Sequence, residues 1–176
     1  MKDYYLDNWD YNVFAVDWSY SSMSPVYYQA AAETRVVGLQ IAYFIQRLVN
    51  TTNATVADMH CIGHSLGAQV CGFVGQRLQN PKMPQITGLD PAGPTFMDDK
   101  PNTRLDPTDA ELVLVIHTNA GTYSESFRRQ TTVITKLLNR LSDPFGAIGI
   151  LGNMRNVGHF DFWPNGGMAL MIQKSL

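Results

Sequence analysis

A chain of 176 residues with 45% hydrophobic content is long enough to form one domain around a real core. Its formal net charge of −2 gives no electrostatic case for a nucleic-acid partner or for adhesion to an anionic membrane. The most apolar region, residues 30–49, is interrupted by Glu33, Arg35, Gln40, Gln46 and Arg47, so no uninterrupted run reaches membrane-spanning length.

The chain begins Met1-Lys2-Asp3-Tyr4-Tyr5-Leu6-Asp7, which lacks the apolar stretch of a signal peptide. Residues 12–18, Asn12-Val13-Phe14-Ala15-Val16-Asp17-Trp18, read as a buried strand closed by serines and a proline. Pro25 is placed to open a helix in which Val36, Val37, Ile41, Phe44, Ile45, Leu48 and Val49 form an apolar stripe. Polar residues 50–55 end that helix and carry N-glycosylation sequons at Asn50 and Asn53. Residues 57–62 are a short apolar run suited to a second strand, and after it Val70, Phe73, Val74 and Leu78 fall at helical spacing.

Between that strand and that helix stands Gly63-His64-Ser65-Leu66-Gly67, which fits G-x-S-x-G, the pattern of a nucleophile elbow. Gly63 and Gly67 are expected to let strand and helix approach closely, with Ser65 Oγ on a strained tip. The N–H of Leu66, at the start of the helix, is then available to a developing oxyanion. Cys61 and Cys71 flank the motif, and two buried free thiols are expected rather than a disulfide across the turn.

Residues 85–90 and 111–117 supply a third and a fourth strand. Strands alternating with helices imply βαβ units, a parallel sheet and the α/β class. Asp90 ends the third strand, where a carboxylate is placed to orient an imidazole; a turn-capping Asp before Pro91 is the other reading. In the proline-rich loop 101–109, Asp106 and Asp109 lie near backbone carbonyls and suit a hard cation such as Ca²⁺. The plainer alternative has Asp109 capping a turn and Asp106 solvated. Residues 124–142 carry Val133, Ile134, Leu137, Leu138 and Leu141 at helical spacing, complemented by Arg128, Arg129, Lys136 and Arg140. Such a helix packs on its own domain or lies on a lipid surface. A serine nucleophile also needs a base: His64 is adjacent to Ser65 and His60 lies within a strand, which leaves His117 and His159, and position favours His159.

Five segments in this order, Gly63-His64-Ser65-Leu66-Gly67-Ala68, Ile86-Thr87-Gly88-Leu89-Asp90-Pro91-Ala92-Gly93-Pro94, Arg104-Leu105-Asp106-Pro107-Thr108-Asp109-Ala110, Val115-Ile116-His117-Thr118-Asn119 and Gly158-His159-Phe160-Asp161-Phe162-Trp163-Pro164-Asn165-Gly166-Gly167, resemble the pancreatic lipase family, which includes insect triacylglycerol lipases and venom phospholipases A1. The resemblance covers most of residues 12–121 and 153–168. It implies a partial α/β-hydrolase fold over residues 1–176, a secreted enzyme, and hydrolysis of triacylglycerol or phospholipid esters at a lipid–water interface, with no transmembrane segment and no nucleic acid. By the same resemblance Ser65 is the nucleophile, Asp90 the triad acid and the Leu66 amide an oxyanion donor. No cofactor is required beyond a possible structural Ca²⁺ on the carbonyls of Pro101 and Arg104 and the carboxylates of Asp106 and Asp109. The family's catalytic His lies downstream of the Asn-Gly-Gly segment and beyond Leu176, and neither His117 nor His159 corresponds to it. The family's second oxyanion donor lies upstream of the strands seen here. Residues 122–157 stand where the family has a shorter loop, an atypical insertion. The chain alone is therefore expected to be inactive; the other expectation is a lipase-like protein that binds or stores lipid without hydrolysing it.

Overall fold

The computed structural model describes residues 1–22, 26–120 and 152–167. At its centre is a four-stranded parallel sheet of β1 (His60–His64), β2 (Gln85–Leu89), β3 (Leu112–Ile116) and β4 (Phe160–Phe162), in that spatial order. The reason for β3 is plain in its sequence, Leu-Val-Leu-Val-Ile: branched side chains fit the pleat, and Val113 and Val115 on one face are fully buried. With Ile86 from β2 they meet Ala68, Val74, Leu105, Met83 and Val157 in the main core. Each fully buried Val or Ile contributes about 1.5–3 kcal/mol through lost apolar hydration.

Besides the short helices α1 (Lys2–Asn8) and α2 (Ser19–Ser22), two longer helices, α3 (Tyr27–Thr51) and α4 (Leu66–Arg77), build the layer beside the sheet, α4 packing on β1 and β2 and α3 on α4. The two helices approach closely because the crossing is made of small groups: a Cβ added at Gly38 would lie 2.7 Å from Phe73 Cβ. The buried face of α3 is Ala30, Ala31, Thr34, Val37, Gly38, Ala42 and Ile45. This corrects the expected stripe. Val36 and Phe44 are about half exposed (49% and 46%), because the close helix–helix contact selects the small side chains rather than the large ones.

Three other expectations change. Residues 12–18 form no strand, and Phe14 and Val16 face solvent while Trp18 alone reaches the core. A β-rich composition describes a segment that fits a pleated surface, but a strand also needs a paired neighbour, and no described strand pairs with this one. The second strand begins later than residue 57: Val56–Asp58 is a 3₁₀ turn whose Thr55 hydroxyl accepts from Ala57 N–H at 3.1 Å, so β1 runs into the glycine-serine motif itself. β4, with only Phe-Asp-Phe, is too short to show a two-residue period and was not anticipated. The basic amphipathic segment 124–142 lies outside the described residues, as does most of the segment 122–157.

Candidate active site

The strand register aligns His64, Leu89, Ile116 and Phe162 as one row across the sheet. The ladder continues one residue further. Ser65 N–H donates to Leu89 O at 2.9 Å, Asp90 N–H to Ile116 O at 2.7 Å, and His117 N–H to Phe162 O at 2.8 Å. Ser65, Asp90 and His117 thus leave neighbouring strands side by side at the C-terminal edge, where open parallel sheets hold their ligands.

Ser65 has φ 54° and ψ −119°, a backbone conformation that costs a residue with a Cβ of order 1–3 kcal/mol. Its surroundings hold it there: Ser65 O accepts from Ala68 N–H at 3.1 Å and from Ala92 N–H at 3.2 Å. α4 starts at the next residue, so the Leu66 N–H stands in the first turn, at the positive end of the helix dipole. The two motif glycines are not equivalent. A Cβ at Gly63 would overlap the Gly67 carbonyl and come within 2.6 Å of Ala68 N, whereas a Cβ at Gly67 would meet nothing within 4 Å. The close approach thus depends on the side chain missing at Gly63, whereas the expectation named Gly67 beside it.

Cys61 in β1 and Cys71 in α4 are joined in a disulfide with Cα atoms 5.8 Å apart, and among the described residues there is no free cysteine. The expectation of two free thiols is overturned because strand and helix fold back from the elbow along matched lengths and bring the pair within bridging range.

Asp90 also has positive φ, 46°. Its Oδ1 accepts from the amides of Thr118 and Asn119, each at 2.9 Å. These donors lie on the loop after β3, so the carboxylate does not cap its own turn. Gly152 seals the other side: a Cβ there would sit 2.7 Å from Oδ1. Oδ2 carries no hydrogen bond among the described residues.

None of the four histidines engages Ser65 or Asp90. His159 lies at the opposite, N-terminal edge of the sheet, where its Nδ1 accepts from Val113 N–H at 3.0 Å; the positional preference for it fails on that geometry. His117 is fully buried, with Nε2 2.8 Å from Asp161 Oδ1 and its ring stacked on Trp163 at 3.7 Å. Burial pushes the Asp161 carboxyl up, but the bond from His117 and the amides of Val157 and Gly158 outweigh it and leave its pKa lowered. His60 contacts Thr87 Oγ1 at 2.8 Å, and burial lowers its pKa. His64 is exposed and merely precedes Ser65 in the chain.

The four residues considered for a cation do come together, against α4. The carbonyls of Pro101 and Arg104 both accept from Gln76 Nε2, at 3.2 and 3.0 Å. Asp106 Oδ2 takes Arg104 at 3.1 Å, and Asp109 Oδ2 accepts from Asp106 N–H at 2.8 Å. Asp106 is buried rather than solvated, and Asp106 and Asp109 cap the short turn Pro107–Asp109 reciprocally. Burial, with the neighbouring Asp106 charge, raises the Asp109 pKa to about 8, more than the Asp106 amide, Gln76 and the Arg104 guanidinium offset. An oxygen-only donor set around such a carboxyl fits a hard divalent cation.

Sequence reasoning missed the Thr118 and Asn119 amides, Gly152 and Gln69. Gln69 is fully buried and ties α4 to both loops, accepting from Leu105 N–H at 2.7 Å and donating to Ala92 O at 2.8 Å. A glutamine one turn after Ser65, on a helix face that is otherwise apolar, was the available signal.

The lipase family's sequence model matches residues 1–133. The chain belongs to the lipase family. It is 39% identical to human (Homo sapiens) pancreatic lipase-related protein 2 over 159 residues, covering 90% of this chain and 29% of that protein. It is 37% identical to the pancreatic triacylglycerol lipase of Myocastor coypus over 159 residues, 90% of this chain and 30% of the relative. It is also 41% identical to the inactive pancreatic lipase-related protein 1 of Mus musculus over 159 residues, 90% and 28% respectively. The chain thus spans under a third of the length of these curated relatives. Its four-stranded parallel sheet with flanking helices is the corresponding part of an α/β-hydrolase fold. Among the described residues no helix is long and apolar enough to cross a membrane.

Proposed function

We propose that this chain is the nucleophile-bearing part of a secreted lipase-type carboxylic ester hydrolase acting on triacylglycerol or phospholipid, in the latter case as a phospholipase A1. The observation that carries the proposal is Ser65 in a strained turn between β1 and α4, one strand away from an Asp90 gripped by two remote amides. Ser65 Oγ attacks the acyl carbonyl, and the oxyanion forms toward the Leu66 N–H at the head of α4. Asp90 uses the oxygen left over from the Thr118–Asn119 grip to orient an imidazole that takes the serine proton and returns it to the leaving alcohol. None of His60, His64, His117 and His159 is disposed for that role, so the imidazole is supplied by another residue of the full protein. The carbonyls of Pro101 and Arg104 with Asp106 and Asp109 would hold a structural Ca²⁺, whose positive charge would compensate the buried Asp109.

Two features support secretion: the disulfide requires an oxidising compartment, and the sequons at Asn50 and Asn53 are exposed. The test is hydrolysis of emulsified triacylglycerol and of phosphatidylcholine vesicles by the full-length protein, its Ser65→Ala and its Asp90→Asn. Each substitution should reduce turnover by at least about 10³-fold. Hydrolysis that survives Ser65→Ala would refute the assignment. A second reading, lipid binding without hydrolysis, has one observation in its favour, that no histidine of this chain meets Asp90. Vesicle binding by a full-length protein with no Ser65-dependent turnover would select it.

A further inference from the structure

The disulfide is placed in a way that general stabilisation does not explain. Cys61 stands two residues before Gly63 in β1, and Cys71 four residues after Gly67 in α4. Two residues of strand rise about 6.6 Å and return to the same face of the sheet. Four residues of helix rise about 6 Å and return to the same helix face. The bridge is therefore the second rung of one ladder whose first rung is the contact of Gly63 with the Gly67–Ala68 backbone. The closed loop contains Ser65, the one residue between strand and helix, with its positive φ of 54°. Strained conformations persist only where the surroundings over-determine them. The first rung is bare van der Waals contact, which fixes how near the two elements come but not the angle at which they diverge. The covalent rung fixes that angle.

We propose that Cys61 and Cys71 are positioning residues for Ser65: their disulfide sets the divergence of β1 from α4, and thereby where Oγ and the Leu66 N–H stand relative to each other. This rests on the reading of Ser65 as the nucleophile. A misplacement of about 1 Å between reacting groups costs on the order of 10²-fold in rate. Opening the bridge therefore lowers kcat by about 10- to 100-fold and leaves KM unchanged, since substrate binding does not depend on the elbow angle.

The test uses the full-length protein, comparing wild type, Cys61→Val/Cys71→Ala, and folded wild type reduced with dithiothreitol at low temperature in case the double variant does not fold. Amide hydrogen exchange supplies a readout independent of catalysis: Ala68 N–H, bonded to Ser65 O at 3.1 Å, against Leu78 N–H, bonded to Val74 O at 3.0 Å at the far end of α4. The proposal expects the kcat-only loss, its recovery on reoxidation, and faster exchange at Ala68 with Leu78 unaffected. It is overturned if kcat is unchanged, or if exchange accelerates equally at Ala68 and Leu78, which would make the bridge a general staple. If Ser65→Ala leaves hydrolysis intact, the nucleophile assignment fails instead, and the exchange pattern still decides whether the disulfide sets the elbow.

Discussion

Substituting the two motif glycines separately tests the geometry of the elbow directly. A methyl group at Gly63 would overlap the Gly67 carbonyl and lie 2.6 Å from Ala68 N, against about 3.4 Å for an ordinary contact. β1 and α4 would have to separate by at least about 0.8 Å, and both obstacles are backbone atoms that no rotamer change can move. Overpacking of this kind costs about 1–3 kcal/mol, and the Cys61–Cys71 bridge resists the relaxation that would reduce it, so about 3 kcal/mol is expected for Gly63→Ala. Gly67→Ala has the opposite sign. Its methyl meets nothing within 4 Å, and alanine is favoured over glycine in a helix by about 0.5–1 kcal/mol. Urea unfolding of the full-length protein reads both, with midpoints moving in opposite directions and equal m-values. If Gly63→Ala unfolds within about 0.5 kcal/mol of wild type, or if Gly67→Ala is the more damaging, the reasoning is refuted.

Gly152→Ala should lower kcat about 10-fold or more and also cost stability, because its methyl would press on the Asp90 oxygen 2.7 Å away and on the Asn119–Ala120 backbone at 2.9 Å; an unchanged kcat would contradict the role given to that oxygen. Millimolar Ca²⁺ should raise the melting temperature of wild type and not that of Asp109→Asn, as followed by calorimetry; an equal rise in both would remove Asp109 from the cation set. Asp161 has a lowered folded pKa, so its contribution is full above the unfolded value of about 4 and is lost as pH falls through the folded one. Asp161→Asn, which weakens the hydrogen bonds to His117, Val157 and Gly158, should cost about 1.5–3 kcal/mol at pH 7, the range for bonds to a charged group, and progressively less in strong acid, as measured by denaturant melts across pH. His60 also has a lowered folded pKa, so its burial contributes fully above the unfolded value of 6.5 and less as pH falls below it; His60→Gln should flatten that part of the stability profile.

How far the sequence could be read depended on the range of the interaction concerned. β2 and β3 were legible because Ile86, Val113 and Val115 carry their burial in their own composition. The α4 face was legible because Val70, Phe73 and Val74 recur at the helical period. The α3 face was misread because which of its apolar residues is buried is decided by the close crossing at Gly38, and that constraint belongs to the partner helix. Residues 12–18 have strand-like composition but no neighbour in the described sheet, and composition does not report on neighbours. The disulfide was legible in principle. A spacing of two residues before the first glycine and four after the second matches strand rise to helix rise, which brings the two sulfurs to one level.

The least legible feature is also the one the proposed chemistry depends on. Ser65 and Asp90 both adopt positive φ, and neither residue type announces it. Each is the first residue beyond its strand, where the chain must leave the plane of the sheet while its N–H still completes a rung to the next strand. His117 meets the same two demands after β3 without positive φ, so the strain at Ser65 and Asp90 belongs to the turns that follow them, into α4 and into Pro91, rather than to the row geometry alone. The fixed points around the row then oppose relaxation: Gly63 against α4, the disulfide one rung deeper, and the Thr118 and Asn119 amides on Asp90. Two strained residues on adjacent strands, each held by contacts from a different element, keep a hydroxyl and a carboxylate at one edge without any bond between them. On the proposed function, the remaining interval is where the imidazole stands.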